Sequence, residues 1–271
     1  MFAMTRMHTA GAVGILAFVM GTSHTALAQG RPFAFTVPFP DASPLIVARY
    51  DAGYGERTFE PLSGDRVEQA AEVDLTVGRL MVLASSGVAI NGPSPVRGLG
   101  QLEAMVDAIR VAGWHIAVSG GVRRGFDGST ALLSRLGVSH TTPTWSLAFN
   151  AMVGHTVAGG DDDDHDAEDY YASLGATARI TSVISVGVET VASDLEGLWQ
   201  THEAEGGETV FAGPLVSIGL PGHVVRLTLS GGPVVRTTGN GVPAYGAAPG
   251  VPGTPVPRMG YMLRSALSLG L

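Results

Sequence analysis

Apolar residues fall on every second position along most of this chain. In Tyr261-Met-Leu-Arg-Ser-Ala-Leu-Ser-Leu-Gly-Leu271 the apolar row is Tyr261, Leu263, Leu267, Leu269 and Leu271, and Met262, Arg264, Ala266, Ser268 and Gly270 fill the other face. A helix groups its apolar residues at spacings of three and four, whereas this alternation has the period of a strand. Reading for period two predicts about twelve strands, with ten as the alternative. They fall near 45–55, 67–78, 80–90, 99–111, 113–124, 131–141, 143–155, 169–180, 182–192, 209–220, 222–235 and 259–271. Each is near the length of about 9–11 residues that crosses a bilayer when tilted. Clear outward rows are Trp145, Leu147, Phe149, Ala151 and Val153, then Ala172, Leu174, Ala176, Ala178 and Ile180.

One segment fits two periods. Leu99, Leu102, Val106 and Ile109 also match helical spacing, but a helix there would break the order of the connections. The connections at Gly78-Arg79, Ala112-Gly113, Thr141-Thr142-Pro143, Thr181 and Pro221-Gly222 are tight. Those near 56–66, 91–98, 125–130, 156–168, 193–208 and 236–258 are longer. Short and long alternate throughout, as in outer-membrane barrels with short periplasmic turns and longer outside loops. The predicted fold is therefore all-β, a transmembrane antiparallel up-and-down barrel over residues 45–271. A soluble lipocalin-like barrel is the alternative.

Composition agrees with this pattern. Gly is 38 of 271 residues, 45% of the chain is hydrophobic and only 15% is charged, against about 25% charged in an average soluble domain. There is no Cys, so no disulfide staples the fold, and all 16 basic residues are Arg. The apolar run 10–20 and the small residues Ala26 and Ala28 before Gln29 read as a secretory signal over 1–28, cleaved near Ala28. Residues 29–44, with Phe33, Phe35 and Phe39, are expected to form a periplasmic N-terminal arm, disordered or alternatively plugging the lumen. The Pro-rich segment 241–257 cannot hold regular structure.

The alternation assigns charges to the lumen. Asp51, Glu68, Glu72, Asp74, Glu103 and Asp107 fall on the inner faces of the early strands. Arg123, Arg135, Arg179, Arg226 and Arg264 fall on those of the later ones. Arg49 and Glu189 break the rule, one cation in the acidic arc and one acid in the basic arc. Opposed rows of charge would orient dipolar solutes in an open pore; in a narrow barrel they would pair as an ionic core. Trp114, Trp145, Tyr170, Tyr171 and Tyr261 lie near strand ends, where an interfacial girdle would sit.

Two loops are acidic. Asp161, Asp162, Asp163, Asp164 and Asp166 are candidate ligands for a loop-bound Ca or Mg ion, which prefers carboxylate oxygen. The run lacks the spaced ligands of a dedicated calcium loop, so a solvated, self-repelling loop is the other reading. The formal net charge of −8 argues against nucleic acid as a partner. For hydrolysis, His140 lies near Ser139 and His115 near Ser119. His140 falls on the outward face near a tight turn, His115 is two strand steps from Ser119, and no Gly-x-Ser-x-Gly element is present. No enzyme is expected, and no catalytic residue is assigned.

The apolar final strand ending at Leu271 resembles the terminal insertion signal of bacterial outer-membrane β-barrel proteins, which most often ends in an aromatic residue. That resemblance covers residues 45–271. Gly98-Leu-Gly-Gln-Leu-Glu103 with Gly113 and Gly120-Gly-Val-Arg-Arg124 is weakly similar to small-solute barrels encoded near aromatic-degradation pathways. The resemblance implies an outer-membrane location in a Gram-negative-type cell. It also implies contact with outer-membrane lipid and lipopolysaccharide, and delivery by the barrel-assembly machinery. The function expected is porin-like, a passive channel for small solutes. The alternatives are a non-transporting structural or surface-binding barrel with acidic outer loops and, last, a barrel hydrolase.

Overall fold

The computed structural model describes residues 32–37, 46–55, 66–90, 96–159, 168–193, 195, 209–220, 225–236 and 259–271. The signal segment 1–28, the Asp161–Asp166 run and the Pro-rich segment 241–257 lie outside them. Period-two alternation produces twelve strands: β1 (Ile46–Gly55), β2 (Arg66–Val77), β3 (Leu80–Ile90), β4 (Arg97–Val111), β5 (Trp114–Gly125) and β6 (Thr130–Thr141), followed by β7 (Trp145–Ala158), β8 (Glu168–Arg179), β9 (Ile184–Ser193), β10 (Thr209–Gly219), β11 (Val225–Arg236) and β12 (Met259–Gly270). Each pairs antiparallel with its chain neighbours, and β12 pairs β1, which closes the barrel. At the seam Ala48 faces Leu269 and Gly53 faces Arg264, and the Leu271 amide donates to Ile46 O at 2.9 Å. Closure leaves no strand edge unpaired, which a bilayer demands because unsatisfied backbone groups are costly in lipid.

The segment 97–111 is strand, as the order of connections required. It carries one irregularity between Asp107 and Ile109. A bulge inserts an extra residue and re-aims the side chains beyond it. Here it sets Arg110 opposite His115 and brings its guanidinium 2.7 Å from Asp107. The tight hairpin at Ala112-Gly113 has φ of 48° and 82°, the double positive φ of a two-residue I′ turn.

Two faces follow from the alternation. Outward, Leu75, Val106, Leu132, Val188, Leu229 and Leu267 are among a row of exposed apolar residues that circles the barrel. Such a continuous exposed apolar surface suits hydrocarbon rather than water. Inward lie the buried polar and charged groups, among them Asp51, Glu68, Asp74, Glu103, Asp107 and Glu189.

The interior is not empty. Residues 32–37, for which a disordered lead-in was the first expectation, lie inside the barrel with Phe33, Ala34, Thr36 and Val37 buried. Phe33 packs on Ala148 and Leu215, Phe35 on Phe211, Val191, Val234 and Met262, and Val37 on Met81, Leu83, Met105 and Ala117. The arm thus bends at Ala34–Thr36 and joins three buried apolar clusters of the lumen.

Candidate functional site

The seat of the arm is built by the two charges that broke the lumen's sign rule. Glu189, on β9, is buried and accepts from three consecutive backbone N–H groups: Ala34 at 3.0 Å, Phe35 at 2.7 Å and Thr36 at 2.8 Å. The Thr36 hydroxyl adds a fourth bond at 3.1 Å. Successive N–H groups converging on one anion form a backbone nest. Arg49, on β1, donates to Phe33 O at 3.3 Å and Ala34 O at 2.5 Å, and to Asp51 at 2.7 Å. The wall therefore grips both the donors and the acceptors of one short peptide segment. Each such bond to a charged group contributes about 1.5–3 kcal/mol.

Side chains complete the seat. The Arg264 guanidinium lies 4.5 Å from the Phe35 ring centroid and 3.6 Å from Asp51 Oδ1. Phe35 and Phe211 rings are 5.3 Å apart in a tilted pair. Phe33 lies over Gly175, where any Cβ would collide with its ring. Beside the arm a small cavity of about 80 Å³ remains, lined in part by Glu72, Gln101, Arg135 and Asn150.

Among the other lumen charges, Arg135 and Glu103 pair directly. Arg135 donates from Nε to Glu103 Oε1 at 2.8 Å and from Nη2 to Oε2 at 3.1 Å, and Ser119 and Gln101 also bond that carboxylate. Glu68, Glu72 and Asp74 line the inner face of β2, with Glu68 and Asp74 buried. Arg123 sits 5.9 Å from the Tyr171 ring. Tyr171 is therefore a lumen residue and not part of a girdle: it shares the face of Ser173 and Thr177 on β8. Trp114, Trp145 and Tyr261 do face outward.

At the end of the barrel that carries the tight turns lies a vestibule of about 230 Å³, floored by Pro32 and Phe33. Arg179 and Arg226 both line it, as do Ser139 and His115. Arg226 donates to Ser217 Oγ at 2.9 Å.

The hydrolase reading can be tested on these groups. Asp107 Oδ2 lies 2.9 Å from His115 Nδ1, and Ser139 stands opposite His115 in register. No hydrogen bond joins Ser139 to His115 among the described residues, so the nucleophile–base contact of a triad is missing. Ser119 is bonded to Glu103 instead. His140 faces outward, between the rings of Trp114 at 4.6 Å and Trp145 at 4.9 Å. The metal-ligand candidates Asp161, Asp162, Asp163, Asp164 and Asp166 lie outside the described residues, and among the described ones no metal-ligand cluster forms.

Sequence reasoning did not assign Arg49, Phe33, Phe35 or Thr36 to the site. Its signal was the misfit of Arg49 and Glu189 within their arcs: the two charges that break the sign rule are the two that hold the arm.

No known family profile matches this chain, and no curated protein does. Solved structures do. The KdgM porin in complex with disordered oligogalacturonate is similar with a TM-score of 0.56 and 8% identity, covering 83% of this chain and 99% of that one. The NanC porin matches with a TM-score of 0.56 and 10% identity, covering 83% and 100%. The Pseudomonas putida toluene transporter TodX matches at a TM-score of 0.42, too loosely to bear on the solute. The chain has the fold of bacterial outer-membrane β-barrel proteins, a closed antiparallel barrel of twelve strands with a polar lumen.

Proposed function

We propose that this protein is a passive outer-membrane channel for small solutes whose lumen is closed by its own N-terminal arm. The observation that carries the reading is the seat of residues 33–36 on Glu189 and Arg49. A wall that only needed filling would use apolar side chains, which pack a barrel without burying charge. This wall holds a chain segment through groups that water or solute can replace when the segment leaves. The periplasmic side is assigned to the tight turns, since Pro32 lines the vestibule there. The oligogalacturonate held by KdgM is not carried over. Here the inward acids and arginines offset one another, which gives a polyanion no net attraction.

The test uses the absence of native Cys. Phe35→Cys with Phe211→Cys places two thiols where rings now stand 5.3 Å apart. In planar bilayers the double variant, bridged by a short reducible bifunctional thiol reagent, is expected to stay shut. Reduction is expected to restore openings. Glu189→Gln is expected to raise the open fraction. The second reading, a non-transporting barrel, draws on the same filled lumen. It predicts no conductance from Glu189→Gln or from the reduced double variant, and that result would sink the channel.

A further inference from the structure

We infer that the turn-end vestibule is a binding site for a small oxyanion, a carboxylate or a phosphate, held between Arg179 and Arg226. Three other lumen arginines meet carboxylates: Arg49 and Arg264 at Asp51, Arg135 at Glu103. These two do not. Arg226 and Arg179 line the same cavity, and no ion pair joins either of them to an acid among the described residues. Arg226 is 9% exposed, and its Nε is buried with no hydrogen-bond partner. The Arg179 guanidinium makes no hydrogen bond to any described residue. Two guanidinium groups lining one cavity without an acid are unfavourable, and an anion between them reverses the sign of the interaction.

The wall between them is built for oxyanion recognition. Arg179 on β8 is opposite Ser185 on β9, Ser185 is opposite Ser217 on β10, and Ser217 is opposite Thr228 on β11. Cross-strand neighbours on one face have Cβ atoms about 4.5–5.5 Å apart, so a ladder of hydroxyls spans the gap from one Arg to the other. Ser217 and Thr228 bond each other at 3.2 Å while Ser217 accepts from Arg226 at 2.9 Å. Two planar forks flanking hydroxyl donors suit the several acceptor oxygens of a carboxylate or phosphate. Beside the vestibule-lining His115, the Asp107 carboxylate is held by His115 and Arg110. The vestibule of about 230 Å³ exceeds what the ion alone needs, and Phe33 and Pro32 offer an apolar edge to an organic remainder.

This inference rests on the channel reading in that it names the solute class, but it is tested without conduction. Full-length mature protein in detergent is titrated with acetate, followed by saturation-transfer NMR, and with inorganic phosphate, followed by ³¹P line width. Saturable binding of at least one ion is expected, weakened tenfold or more by Arg226→Gln and by Arg179→Gln. Arg124→Gln, on the outer surface at the opposite end, is expected to bind as the parent does. Tighter phosphate identifies a phosphate site, and tighter acetate a carboxylate site. Arg179 is the more exposed of the pair, so its variant keeps the test valid if Arg226→Gln fails to fold, as read from heat-modified gel mobility. No saturable binding by the parent, or equal binding by the folded Arg179→Gln variant, would overturn the proposal. A protein that binds the ion yet never conducts would refute the channel and leave this site standing.

Discussion

At the scale of single residues, Gly175 shows how the arm is kept in place by something absent. A Cβ there would occupy the volume of the Phe33 ring. Forcing extra atoms into a filled site costs about 1–3 kcal/mol. Gly175→Val is therefore expected to unseat the arm without touching Glu189 or Arg49. An energy of that size shifts a two-state equilibrium by roughly 5- to 150-fold, and open-channel recordings should register it as a higher open fraction. Val also suits a strand better than Gly, so the barrel's unfolding midpoint in urea should hold or rise. An unfolding midpoint that falls while the channel stays closed would mean that Gly175 serves the wall and not the arm. The same logic of small parts explains Glu189. With the arm seated its carboxylate accepts four hydrogen bonds, which water must supply once the arm leaves.

Elements divide by how far apart in sequence their partners lie. The strands were legible because each reports its own burial through a period of two, and neighbouring strands pair through short turns. Even β4, with its helical look, was decided by connection order. The arm was illegible because its partners lie up to 155 residues away and six residues carry no period. The site was legible in its inward faces but not in its pairing, since alternation says which way a side chain points and not how far it reaches. The one long connection seen whole, 126–129 between β5 and β6, behaves as a folded element. Phe126 N–H donates to Gly98 O at 2.8 Å, and the Asp127 carboxylate accepts from the Ser129 hydroxyl at 2.7 Å and its N–H at 2.8 Å. Those bonds, the hydroxyl first, hold the Asp127 carboxyl below the usual aspartate range. A depressed folded value means that the loop's stabilisation is present above the ordinary aspartate pKa. It is lost as pH falls through the lowered one. Ser129→Ala should move the Asp127 midpoint upward, read by NMR titration of its carboxyl carbon, and loosen the loop at higher pH than in the parent. An unmoved midpoint would assign the shift to other neighbours.

The whole molecule is a barrel whose wall and plug are separable parts of one chain. The wall closes through β1 and β12 without help from the arm, while the arm touches strands all round the lumen. A tether gives the arm an effective concentration near the millimolar range, which lets a few charged hydrogen bonds keep the lumen shut. If recognition resides in the wall, the segment should work untethered. Phe33→Ala with Phe35→Ala removes the two aromatic anchors and leaves the wall intact, so this variant is expected to conduct. A free peptide of sequence Pro-Phe-Ala-Phe-Thr-Val, matching residues 32–37, should then block it saturably at concentrations around that effective value. The block should vanish when Glu189→Gln is added to the same variant, because the three N–H groups lose their anion. A scrambled peptide separates this seat from general occlusion of the mouth. Block by both peptides, or by neither, would mean that the arm closes the barrel only as an inseparable part of its fold.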